Sequence, residues 1–128
     1  MYQQLLAVLR CPFCSARLSL LENYTHVSSC GRLESGVIGC DCCTFPIVAG
    51  IPVMIADDQT REVMKALEAG RRDQALFMLL GLDEIRADAF RSLLARGARA
   101  TYREAIAILS PNAEGTYTML THGYRGAD

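Results

Sequence analysis

Apolar positions along this chain change their rhythm near Asp57, from short runs broken by polar residues to the three-and-four spacing of helices. Before that point, Gln3 to Leu9 places Leu5, Leu6, Val8 and Leu9 on one side of a short helix. From Leu18 to Ile38, the runs LSLL and VI are separated by polar residues and by Cys30-Gly31 and Ser35-Gly36, which predicts two or three short strands. Phe45 to Ile55 combines β-branched residues with Pro46, Gly50 and Pro52, so two extended pieces are expected with a turn at Ala49-Gly50. Proline cannot donate to a sheet ladder, so at least part of this run should lie at an edge or outside the ladder.

After Asp57 the signals are helical. Asp57 or Asp58 can cap a helix from about Gln59 to Ala69, with Val63 and Leu67 four apart on one face and Gly70 as its stop. A second helix is predicted from Arg72 to Leu80, ended by Gly81. A third starts at Asp83 and puts Ile85, Ala89, Phe90, Leu93 and Leu94 on one stripe before Gly97. In the fourth, Thr101 and Glu104 stand at capping-box spacing, and Tyr102, Ala105, Ile106 and Leu109 face inwards until Ser110-Pro111. Weak alternation from Thr116 to Thr121 suggests a strand, and Gly123 to Asp128 a loose end.

Composition sharpens the division. All six cysteines precede Asp57, whereas the later half is rich in Ala, Leu, Arg and Glu. A net charge of −1 over 128 residues gives no field for steering phosphate backbones, which argues against direct nucleic-acid binding. Arg86, Arg91, Arg96, Arg99 and Arg103 crowd one stretch, but interspersed Asp and Glu make it a solvated helical face. No leader-like N-terminus and no membrane-length apolar run is visible, so a cytoplasmic protein with no membrane association is expected. In that reducing compartment, cysteines serve as metal-binding thiolates more readily than as disulfides.

Their spacing points the same way. Cys11-Pro12-Phe13-Cys14 is a pair separated by two residues, and Pro12 biases Cys11 towards an extended conformation, forcing a tight turn that aims both sulfurs at one point. Cys40 and Cys43 form a second pair at the same spacing, giving Cys11, Cys14, Cys40 and Cys43 as the expected zinc ligands. Cys42 is an alternative to Cys43, and Cys30 is left over. The competing reading is a set of buried apolar cysteines. His26, alone on an expected hairpin, reads as a surface residue. Four thiolates leave no open coordination position, so the metal would be structural. The chain is thus expected to be α+β: a zinc-ribbon-like β module with a short N-terminal helix over residues 1–56, a helical extension of about four short helices over 57–111, and a strand or loose segment over 112–128.

Leu5, Leu6 and Leu9 before Cys11-Pro12-Phe13-Cys14, then the cysteine cluster, then Phe45-Pro46-Ile47 and Gly50-Ile51-Pro52-Val53-Met54, together resemble the small zinc-ribbon family that activates methyltransferases. The resemblance covers roughly the first 55 residues. It implies a non-catalytic zinc module whose partner is a class I S-adenosylmethionine-dependent methyltransferase domain, in cis or in trans. The helices after Asp57 look like the segment that separates such a ribbon from its methyltransferase in fused relatives. A glycine-rich cofactor loop is not in the sequence, whose ten glycines are scattered singly, so neither a catalytic residue nor a cofactor-binding residue is expected in this chain. The alternative reading is a nucleic-acid-binding zinc ribbon, against which stands the presence of only Arg17 and Arg32 as strong bases between residues 11 and 55.

Overall fold

The computed structural model describes residues 1–109, so the expected segment 112–128 and the Ser110-Pro111 stop lie outside the described residues. The protein is α+β. Four antiparallel strands, β1 (Ser19–Val27), β2 (Leu33–Gly39), β3 (Thr44–Val48) and β4 (Ile51–Pro52), pair in chain order. Four helices follow: α1 (Asp58–Glu68), α2 (Arg72–Leu79), α3 (Glu84–Ala95) and α4 (Tyr102–Leu109). The apolar start of the chain is a 3-10 turn over Gln3–Ala7 rather than an α-helix. A seven-residue apolar stretch running into Pro12 is too short to sustain α-helical propagation by itself.

By packing, the chain forms two compact units that meet between Leu79 and Leu80 in the sequence. In the first unit, β3 alternates between two clusters, as a period-two strand must. Phe45 and Ile47 join Cys11, Leu18, Leu33 and Ile38, with Met1, Leu6, Leu9 and Met54 against them. Val48 instead joins Val63, Ala66 and Leu67 of α1 and Ala75 of α2. Asp57 caps α1 by accepting from the Thr60 N–H at 2.8 Å, while the Thr60 hydroxyl receives the Asp57 N–H at 3.1 Å.

Pro46 lies fully buried within β3, between β2 and β4, opposite Val37. Its carbonyl accepts from the Val53 N–H at 2.9 Å, so its missing donor falls on the same side, beyond the end of the two-residue β4. The turn between β3 and β4 holds Ala49 at φ 50° and Gly50 at φ 78°, the two positive angles of a tight two-residue hairpin. This gives the two extended pieces and the turn expected from the sequence, with the second piece at a sheet edge.

The second unit begins at Leu80. Asp83 caps α3 through the Arg86 N–H at 2.8 Å. Phe90 and Leu93 are buried, whereas Ile85 is 84% and Leu94 50% exposed, so the buried stripe of α3 is rotated from the one read in sequence. Tyr102 of α4 is likewise exposed, and no residue of α4 is fully buried among those described. Among the described residues, α3 and α4 enclose too little interior to take every apolar side chain out of water.

Candidate metal centre

Two loops build the site. The first is bracketed by a bridge between Arg10 and Arg17 and closed by the Cys11 N–H donating to the Ala16 carbonyl at 2.9 Å. The Ser15 N–H donates to the Cys11 carbonyl, also at 2.9 Å, and Ser15 takes a left-handed φ of 62° to turn the chain back. That conformation costs about 1 kcal/mol in a residue with a Cβ, and it is held by the two hydrogen bonds around it. Phe13, at the tip, stacks on the buried Phe45 ring with centroids 6.3 Å apart and 10° between planes, tying the loop to β3.

The second loop is the hairpin joining β2 to β3. Gly39 pairs with Thr44, and the Cys40 N–H donates to the Cys43 carbonyl at 2.9 Å, so residues Cys40 to Cys43 form the whole turn. Glycine is required at its base: a Cβ on Gly39 would stand 2.9 Å from both the Cys43 carbonyl oxygen and Thr44 Cγ2.

The two loops bring four sulfurs together. Cys11, Cys14, Cys40 and Cys42 have thiols within 4.8 Å of one another. Cys11 Sγ lies 3.6 Å from Cys42 Sγ, Cys14 Sγ 3.6 Å from Cys40 Sγ, and Cys40 Sγ 3.5 Å from Cys42 Sγ. Four sulfurs set tetrahedrally about 2.3 Å from a shared centre would be about 3.8 Å apart, so this arrangement fits a metal ion with little movement. The distances are far from the roughly 2.05 Å of a disulfide, and all six cysteines are free.

Three of the four expected ligands are therefore brought together, and Cys42 stands in the fourth position in place of Cys43. The carbonyl of Cys43 is held by the Cys40 N–H that closes the turn, and its half-buried side chain packs against the core cluster that contains Cys11 and Phe45. Cys43 leads directly into β3, whereas Cys42, one residue earlier, is exposed at the turn. Cys30 belongs to the β1–β2 turn, 3.1 Å from the Ser28 hydroxyl. His26 lies on β1, 3.6 Å from Glu34. Neither belongs to the four-thiol group.

The thiols are electrostatically unequal. Burial works to raise the Cys11 pKa, but hydrogen bonding from the Cys14 and Phe13 backbone and from the Cys14 and Cys42 thiols holds it at about 6, below the ordinary 9.0. Cys42 is driven the other way, first by the Cys14 thiol, then by those of Cys43 and Cys40. Converging sulfurs cannot all ionise against each other's charge, and a cation at their centre removes the conflict. Cys11 is 1% exposed while Cys14 and Cys42 face solvent, so the group is anchored from the core and open on one side.

Among the described residues no helix is long and apolar enough to cross a membrane. The chain matches no protein-family model, no curated protein and no solved structure. The family resemblance therefore stands only on the residues that carry it in the sequence.

Proposed function

We propose that the chain is a non-catalytic zinc-binding ribbon that docks on, or precedes, a class I S-adenosylmethionine-dependent methyltransferase domain. The observation that carries the metal part is the convergence of Cys11, Cys14, Cys40 and Cys42 from two separate loops. A tetrahedral set of four sulfurs suits zinc, which asks for no redox partner and no open coordination position. Zinc here would fix the two loops to each other and to the sheet. Free thiols suit a reducing compartment, which is why the reading puts the chain in the cytoplasm.

The partner part rests on the order of the sequence elements around the cysteines. Within the apolar run that carries the resemblance, Ile47 and Val48 are buried core, whereas Ile51 is 64% and Ile55 56% exposed. Ile51 sits on β4, the short edge of the sheet, so a docked domain would cover these two side chains. Direct nucleic-acid binding is less well supported. Arg10 is engaged by the Ala7 and Leu9 carbonyls and Arg32 by the Tyr2 hydroxyl and ring, which leaves Arg17 as the uncommitted strong base of the ribbon loops.

Co-expression with the class I methyltransferases of the same genome, followed by affinity purification, tests this reading. A stoichiometric complex that weakens when Ile51 and Ile55 are both replaced by Asp is expected. Retention of no methyltransferase by the folded, metal-loaded chain, with none encoded in the same reading frame, would refute the partner assignment.

A further inference from the structure

Two adjacent cysteines share the second loop, and only one of them belongs to the four-thiol group. Cys43 Sγ nevertheless lies 3.4 Å from Cys42 Sγ, as close as the ligands lie to one another. Its main chain is pinned by the Cys40 hydrogen bond, and its side chain packs beside the cluster that includes Cys11, with Cys40 packed there too. A hop between staggered rotamers carries a cysteine sulfur on the order of 3 Å, so the step from Cys43's present position towards that of Cys42 is within the reach of one side-chain rotation.

The geometry points to Cys43 as a standby ligand: the metal is held by Cys11, Cys14 and Cys40 together with either Cys42 or Cys43. This deepens the metal reading above and rests on it. The two sets differ in exposure. Cys42 faces solvent, whereas Cys43 is half-buried. When Cys42 is lost as a donor, Cys43 takes its place and the ion stays four-coordinate. In a site with a single fourth thiol, the same loss leaves three sulfurs and a water. The ligand class is a borderline-soft divalent cation, zinc in the cell and cobalt(II) as the spectroscopic probe.

Cobalt(II) titration of the parent chain, Cys42→Ser, Cys43→Ser and the double variant tests this, because the intensity of the sulfur-to-cobalt charge-transfer band counts bound thiolates. The parent and both single variants should each bind one equivalent with a four-thiolate band, their affinities within roughly tenfold of one another. The double variant should lose a quarter of the band and bind roughly a hundredfold more weakly. A three-thiolate band in Cys42→Ser, from protein whose far-ultraviolet circular dichroism matches the parent, would overturn the standby role while leaving the metal site intact. Absence of any thiolate band in the parent would overturn both. Should Cys42→Ser fold poorly, Cys42→Ala loaded with cobalt gives the same readout: a retained four-thiolate band supports the exchange, and a three-thiolate band contradicts it.

Discussion

Cys42 Sγ stands 3.6 Å from Cys11 Sγ, across the 31 positions that separate the two loops. Cys11 is in the core and Cys42 at the surface, so the contact joins the interior of the sheet to an exposed turn. A metal at this junction would hold together two loops that otherwise meet through thiol contacts, core packing and one ring stack. Metal binding and folding of the first unit should therefore be strongly linked.

Removing a buried ligand separates the cluster from the cysteine outside it. Cys11→Ser is expected to weaken metal binding on the order of a hundredfold and to destabilise the first unit by several kcal/mol, because it deletes a sulfur and buries a hydroxyl. Cys30→Ser should leave metal content unchanged and alter stability by no more than about 0.5 kcal/mol, since Cys30 is exposed in the β1–β2 turn. Metal-competition titrations and denaturant unfolding of the two variants check both expectations.

The base of the second loop should tolerate no side chain. In Gly39→Ala the new methyl would meet the Cys43 carbonyl oxygen and Thr44 Cγ2 at 2.9 Å, and the backbone atom cannot swing away as a flexible side chain can. A cost of about 1–3 kcal/mol is expected, with weaker metal binding because Cys40 and Cys42 ride on the displaced turn. Gly36→Ala, whose nearest contacts are 3.5 Å, is the control and should cost about 1 kcal/mol or less. Urea unfolding with and without metal separates the packing cost from the loss of ligand geometry.

These two loops also show how far the sequence alone could be read. Pairs separated by two residues identified Cys11, Cys14 and Cys40, because that spacing closes a tight turn around one point. The same rule favoured Cys43 over Cys42. Spacing counts residues, whereas the fold gathers the Cys42 thiol with the other three and packs Cys43, which leads into β3, against the core cluster. The helices after Asp57 were readable from their start signals: Asp57, one of two candidates, caps α1, and α3 begins one residue after the expected Asp83, which caps it. The buried face of α3 was not, since Ile85 and Leu94 are apolar yet exposed. Nor did composition reveal that α1 packs on Val48, because Ala- and Arg-rich helices read alike whether they join a neighbouring sheet or stand apart.

In the second unit, α4 should respond to acid through a single carboxylate. The Arg96 guanidinium, then the Thr101 hydroxyl and N–H, hold Glu104 at about 2, below its ordinary 4.5. A carboxylate depressed by folding contributes stability above its unfolded value and loses it as pH falls through the folded one, so this contribution should decline between about pH 4.5 and pH 2. Arg96→Ala should move the Glu104 titration midpoint upwards, and Glu104→Gln should abolish this part of the pH dependence. Carboxyl-resolved NMR titration with circular dichroism of the helices checks both. A Glu104 midpoint unchanged in Arg96→Ala would contradict the assignment.

Alkylation should report occupancy of the cluster residue by residue. In metal-loaded protein, iodoacetamide is expected to label Cys30 quickly and to spare Cys14 and Cys42, although all three thiols are exposed. Treatment with a strong chelator should make Cys14 and Cys42 react as well, with Cys11 following only when the first unit opens. Tandem mass spectrometry with fragment-ion sequencing resolves the sites, because Cys30 lies alone on its tryptic fragment, whereas Cys11 shares one with Cys14, and Cys40 and Cys43 share one with Cys42. Equal labelling of Cys14 and Cys42 with and without chelator would contradict metal occupancy of the cluster.

The central claim is that four converging thiols hold one metal ion, and elemental analysis of protein purified without chelator tests it most directly. One equivalent of zinc per chain is predicted, removed by chelator with loss of cooperative unfolding in the first unit and restored by zinc alone. Less than about a tenth of an equivalent of any metal in protein with its sheet intact would contradict it, and Cys11, Cys14, Cys40 and Cys42 would then be a cluster of free thiols.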